Sequence, residues 1–209
     1  MTVIGPMEAM VQERIALGFY GWKFVKNYGQ LTVSMKKSDK VKKDGEQTML
    51  KVRAIARHIR NVEDNSLLLG EKLIQRGEID LGKRLIANGM IHDASKFHGI
   101  EFEYLSLGNP SEESAKLKLK LSVHHHNTTN PHHPEYWAGG IKEMPDVYLA
   151  EMVCDWKARS EEFGTSLRDW IEQSATKRWG FVKDDKTYKE IMAFVDLLCE
   201  KPFEQLSQT

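Results

Sequence analysis

The sequence predicts an all-α fold, and three observations carry that expectation. Apolar residues recur at three- and four-residue spacing in nearly every patterned segment, which is the period of a helix with one buried face. The punctuation by Gly77, Gly108-Asn109-Pro110, Pro145 and Pro202 falls between such segments. The one stretch with a strand period, Leu117, Leu119, Leu121 and Val123, would be an isolated strand with nothing to pair with, so a helix is expected there too.

The chain has 209 residues with 30 Lys+Arg against 30 Asp+Glu, so no net field draws it to nucleic acid or to a membrane surface. Charged residues make up 29% and hydrophobic ones 41%, ordinary for a globular domain with a real core. No stretch approaches the ~18 apolar residues of a membrane span. The start, MTVIGPMEAMVQERIA, lacks a basic flank followed by an apolar run, and a cytoplasmic protein is expected. Cys154 and Cys199 lie on apolar stretches and read as buried thiols in a reducing compartment.

Residues 1–48 read as an N-terminal helix, Met7 to Asn27, and a polar linker. The helix carries Met10, Ile15, Phe19 and Trp22. Its aromatic-rich part, Phe19 to Phe24, is available to cover the chain's own core or a second copy in a homodimer. The linker, Ser34 to Gln47, contains KKSDKVKK and then Gly45, and reads as a solvated loop because Asp39 and Asp44 interrupt the lysines. Residues 49–209 read as the helical domain. A long helix from Met49 to Arg76 has the stripe Ile55, Ile59, Val62, with His58 beside it, and Gly77 as its stop. Asp80 is placed to cap the next helix, with Leu81, Leu85, Ile86 and Met90 facing inward and His92-Asp93 near its end.

A short helix spans Ile100–Leu107. Ser111, Glu112 and Glu113 then open the helix that reaches His126. Two prolines and two glycines make Asn127–Gly140 a loop. Pro145 suits the first position of a helix running to Phe163, and Ser166 with Asp169 starts another. Tyr188, Ile191, Met192, Val195 and Leu198 stripe a last helix, Thr187 to Glu200.

The order His58, His92-Asp93, Asp155 is the chemical content of this pattern. Two imidazoles and two carboxylates on helical segments suit one Mn, Fe, Co, Ni or Zn ion better than calcium. An ion so held makes a nucleophile of bound water near neutral pH. Each residue has a plainer reading alone: His58 as a core histidine, His92 and Lys96 as cations at a helix C-terminus. Asp155, amid Met152, Val153 and Trp156, needs a partner or an ion if buried. Five of the eight histidines lie in HHHNTTNPHHPEYW, between His124 and His133. They read as further ligands for a second metal or as imidazoles that bind phosphate and exchange protons, among them His126 and His132. Tyr136 and Trp137 could wall a pocket. Lys96 and Arg57 are candidate phosphate contacts.

On these residues the chain resembles the HD-domain superfamily of metal-dependent phosphohydrolases, whose signature maps onto His58, His92, Asp93 and Asp155. The gaps, 34 positions from His58 to His92 and 62 from Asp93 to Asp155, look similar to those of the small 5′-deoxynucleotidase branch. HDASKF, HHHNTTNPHHPEYW and EMVCDW look like motifs of a small uncharacterised HD-like group of bacteria and phages. The resemblance implies a helical bundle around one metal, or two, with Asp93 orienting or deprotonating the bound water. Lys96 stands where single-metal nucleotidases often carry glutamate and resembles the two-metal branches, for which His125 and His133 are the candidate additional ligands. The expected substrate is a small phosphorylated molecule, most simply a nucleotide. The alternatives on the same scaffold are a di-iron oxygenase and a non-catalytic ligand-binding or interaction protein.

Overall fold

The computed structural model describes residues 32–105 and 110–200. Every regular element among them is helical, with no strand. The expected helix over Met7–Asn27 and the stop at Pro202 lie outside the described residues, as does the end of the helix expected at Leu107.

The first described helix, α1, spans Thr32–Gln75. It absorbs the stretch Ser34–Gln47, which is therefore helix and not the solvated loop its polarity suggests. The reason is that Lys, Gln, Glu and Met lose little rotamer freedom in a helix. Polarity there reports exposure instead: every residue from 41 to 50 is exposed. From His58 onward the helix buries the stripe His58, Val62, Asn65-Ser66, Leu69 and Leu73, spaced three and four apart as a packed face requires. Gly77, at φ +92°, ends it as expected. The Gly77 N–H donates to the Ile74 carbonyl at 3.0 Å and the Glu78 N–H to Leu73 at 2.9 Å, a left-handed stop that favours glycine.

That tight turn leads directly into α2, Ile79–Ile91. No place remains for Asp80 as a cap; it lies in the first turn and faces Arg84 at 3.7 Å. The face of α2 turned to α1 is Gly82, Leu85 and Gly89. Met90, one position and about 100° further round, is 61% exposed and not inward as the periodicity suggested. A Cβ on Gly82 would overlap the Gly70 carbonyl, and one on Gly89 would lie 2.5 Å from Ser66 Cβ. The two helices thus touch backbone to backbone through glycine.

A 3-10 turn, Ala94–Phe97, and the short α3, Gly99–Tyr104, follow. Helix α4 spans Glu113–Thr129, so the alternating leucines do sit on a helix; Leu117 and Leu121 are exposed. It also continues past the expected end at His126, which places the whole His124–His126 triplet on a helix. Residues 130–145 contain two 3-10 turns, Pro134–Tyr136 and Gly140–Glu143.

Helix α5, Asp146–Phe163 with Pro145 at the cap position, is the central element. Leu149, Ala150, Val153, Cys154 and Ala158 have at most 2% exposure, and it packs on α1, α2 and the last helix. The segment after it begins with α6, Leu167–Trp170, where Ser166 Oγ accepts from the Asp169 N–H at 3.3 Å. It passes through a wider π turn, Ile171–Ala175, into α7, Thr176–Trp179. Helix α8, Lys186–Cys199, buries Tyr188, Ile191, Val195 and Leu198. Lys72 of α1 donates to the carbonyls of Leu197 and Glu200 at 2.7 and 2.9 Å, satisfying backbone groups that a helix end leaves open. Cys154 is buried as expected, but Cys199 at the end of α8 is exposed, and neither is in a disulfide. No described helix is long and apolar enough to cross a membrane.

Candidate metal centre

Five segments converge on Asp93. His58 comes from the buried stripe of α1, His92 and Asp93 from the end of α2, His126 from α4, His132 and His133 from the following loop, and Asp155 from α5. The helix stops at Ile91, so His92 is extended (φ −50°, ψ 134°) and Asp93 is left-handed (φ 55°, ψ 21°). His92 and Lys96 therefore do not lie on one continuing helix. Instead Lys96 folds back in the 3-10 turn and its Nζ contacts Asp93 Oδ2.

Two groups of ligand-type atoms around Asp93, each within 4.8 Å of one another, share this space: His58, His92 and Asp155, and Asp93 with His126, His132 and His133; a third, His92, His132 and Glu151, overlaps both. His58 Nε2 lies 3.1 Å from Asp155 Oδ1 and 3.4 Å from Asp93 Oδ2. His92 Nε2 lies 3.3 Å from the same Asp93 oxygen. The other oxygen, Oδ1, faces His126 Nε2 at 3.3 Å and His132 Nε2 at 3.5 Å. His133 Nε2 is 3.0 Å from His126 Nε2. Asp93 thus presents one oxygen to each group.

Behind the histidines stands a set of glutamates that the spacing argument did not find. Glu162 Oε1 faces His58 Nδ1 at 3.0 Å, Glu151 Oε1 faces His92 Nδ1 at 3.0 Å, and Glu101 Oε2 faces His126 Nδ1 at 2.9 Å. Each is fixed in turn: Glu162 by Asn61 and Arg159, Glu151 by Asn88, Glu101 by Ser95. A carboxylate on Nδ1 draws the ring proton to that side and leaves Nε2 bare and more basic, the arrangement of metal-ligating histidines. Glu151, Asp155 and Glu162 occur at i, i+4 and i+11 on α5, one face of a helix. That spacing was the available signal, diluted by Lys157, Arg159 and Glu161 on the same helix.

Burial makes the arrangement costly unless something binds it. His58 Nε2, His92 Nε2, His132 Nε2, Asp93 Oδ1 and Asp155 Oδ1 are buried and have no hydrogen-bond partner, their close approaches to one another being unaligned. Burial and the facing charges together set how these groups titrate. Burial would lower His92, but Asp93, Glu151 and Asp155 hold it up to about 9. His58 and His132 are raised the same way by their carboxylates against burial. Burial opposes the ionised form of Asp93 and Asp155, yet the facing histidines, with Lys96 beside Asp93, hold both well below the usual carboxylate range. His126 and His133 are lowered, by burial first.

Of the other expected site residues, His125 faces outward at 49% exposure, its Nδ1 on Glu101 Oε1 at 2.8 Å. The helical turn between neighbours puts His126, and not the expected His125, against Asp93. Arg57, one position from His58, is exposed. Trp137 donates to the Pro131 carbonyl at 2.8 Å and packs on Tyr148 and Tyr136; these contacts brace the loop that carries His132 and His133. Glu135 ties the same loop to Arg178 and to the Trp179 Nε1–H at 3.2 and 3.3 Å.

A family model, described as a family of unknown function (DUF5662), matches residues 48–200. The chain belongs to that family. The matched region takes in every histidine and carboxylate of the centre. No curated protein matches the chain, and no solved structure does.

Proposed function

We propose that this chain is a metal-dependent phosphohydrolase of the HD type, acting on a nucleotide or a related phosphoester. The observation that carries the reading is the set of five buried, partnerless nitrogen and oxygen atoms around Asp93. Their chemistry, imidazole and carboxylate, suits a divalent transition ion such as Mn, Fe, Co, Ni or Zn. His58, His92, Asp93 and Asp155 would hold one ion, and Asp93 with His126, His132 and His133 a second.

Charge supports two ions over one. Asp93, Asp155, Glu101, Glu151 and Glu162 bring five negative charges, and Lys96 and Arg159 return two. With neutral histidines one divalent ion leaves the centre negative, which repels a phosphate; two turn it positive. An ion there supplies an acidified water at neutral pH. In this reading Asp93 would orient that water, its two oxygens lying against the two ligand groups. Lys96, partly exposed beside Asp93, offers an ammonium to a phosphoryl oxygen, stabilising charge that builds in the transition state.

The test is elemental analysis of the purified protein beside the double variant His92→Ala/Asp93→Ala, followed by phosphate release from nucleoside mono-, di- and triphosphates and cyclic nucleotides with Mn or Co added. Expected are about two transition ions per chain, as in two-metal phosphoesterases, lost with activity in the variant. A protein that takes up no metal after reconstitution, or is loaded and cleaves no phosphoester, overturns the reading. Iron with oxygen uptake would point to the oxygenase alternative instead.

A further inference from the structure

Among the glutamates behind the histidines, Glu151 is unlike the others. Glu162 serves His58 alone of the inward histidines, and Glu101 serves His126 and the outward His125. Glu151 places a single oxygen, Oε1, 3.0 Å from His92 Nδ1 and 3.4 Å from His132 Nδ1. His92 belongs to the group with His58 and Asp155, His132 to the group with Asp93, and the two form with Glu151 a third close set of ligand-type atoms. Their rings pack at 4.2 Å between centroids, so neither moves without the other. The second oxygen, Oε2, accepts from Asn88 Nδ2 at 2.9 Å, which holds the carboxylate in register. Glu151 is 4% exposed, leaving water little access to replace it.

We propose that Glu151 is a shared positioning residue: one carboxylate that sets the ring orientation and tautomer of His92 and His132 together, so that both metal positions depend on it. The inference rests on the two-group metal reading above. An oxygen with two lone pairs can accept both Nδ1–H groups, and each acceptance leaves the corresponding Nε2 bare toward Asp93. Removing the charge frees two tautomers at once, one in each group. Removing it at Glu162 or Glu101 frees one.

Calorimetric titration of the metal-free protein with cobalt(II), read in parallel by the visible absorption of the bound ion, tests this. Two binding steps are expected for the wild type. Glu151→Gln keeps the shape and should weaken both steps, each by about 10- to 100-fold, the usual range for such outer partners. Glu162→Gln and Glu101→Gln should each weaken one step by a comparable factor and shift the other by less than about threefold. Asn88→Ala, which leaves Glu151 in place but loosens it, should weaken both steps by a smaller factor, and it carries the test if Glu151→Gln does not fold. The proposal is overturned if Glu151→Gln and Asn88→Ala change one step or neither, or if the three glutamine variants behave alike. A wild type with a single cobalt step also overturns it while leaving a metal site in place. A wild type with no step overturns the metal reading itself.

Discussion

Asp93 is the one non-glycine with positive φ among the described residues. Asp and Asn tolerate that conformation better than other side chains because they bond locally. It is also the residue whose two oxygens face the two ligand groups, so strain and function meet at one position. The shifted groups of the centre make stability without bound metal depend on pH. His92 is raised from its ordinary 6.5 to about 9, burial being outweighed by its carboxylates. Its contribution is complete below 6.5 and is lost as pH rises through 9. Glu151 is lowered from 4.5 to about 2 by His132 and His92 despite burial. Its contribution is complete above 4.5 and is lost as pH falls toward 2. With a chelator present, the melting temperature should therefore be highest between about pH 4.5 and 6.5 and decline toward pH 9. A melting temperature that climbs steadily from pH 6 to 9 would contradict this. Added metal should reverse the alkaline trend, since ligand nitrogens must lose their protons to bind it.

The α1–α2 hairpin sets where His58 stands against His92 and Asp93. Gly82→Ala drives a methyl into the Gly70 carbonyl and Ile74. Backbone cannot yield as a side-chain tip does, so a loss of about 1–3 kcal/mol is expected, with weaker metal binding because α2 carries His92-Asp93 at its end. Gly45→Ala is the contrasting case: nothing lies within 4 Å of the added Cβ, and an exposed helix interior should gain roughly 0.5–1 kcal/mol. Urea unfolding of both variants checks the pair; equal and opposite signs to these would refute the packing account. The same elements show what a sequence displays. Helix types and most boundaries were legible because they rest on local spacing and on Gly77, Pro145 and Ser166. The order His58, His92-Asp93, Asp155 was legible because ligand chemistry limits residue types. Glu151, Glu162 and Glu101 were not, since a glutamate on a helix ordinarily marks a solvent face and only the tertiary fold brings these against the histidines. The choice of His126 over His125 needed to know that α4 runs on to Thr129. The stretch 34–47 misled because polarity was taken for loop, when helix and exposure are separate properties.

Seen as a whole molecule, the centre joins α1, α2, α4, the 130–145 loop and α5, segments far apart in sequence. An ion that binds only the folded chain adds its binding energy to the fold. At one hundred times its Kd that is about 2.7 kcal/mol per site. Loading with Mn or Co should raise the melting temperature by several degrees over the chelator-treated protein, and His92→Ala/Asp93→Ala should abolish the difference. Equal melting temperatures for loaded and stripped wild type would mean that the buried cluster holds no ion tightly.

Helix α1 is one element but two environments: residues 41–50 are all exposed, while the stripe from His58 to Leu73 faces the core. Short helices are marginal in water, and most helical stability comes from a packed face. Amide hydrogen exchange should therefore run as a gradient along this single rod. Amides before about residue 50 should exchange through local fraying, and those around Val62 and Leu69 only through global unfolding. The buried half would then act as the template on which its own solvent-facing half is wound.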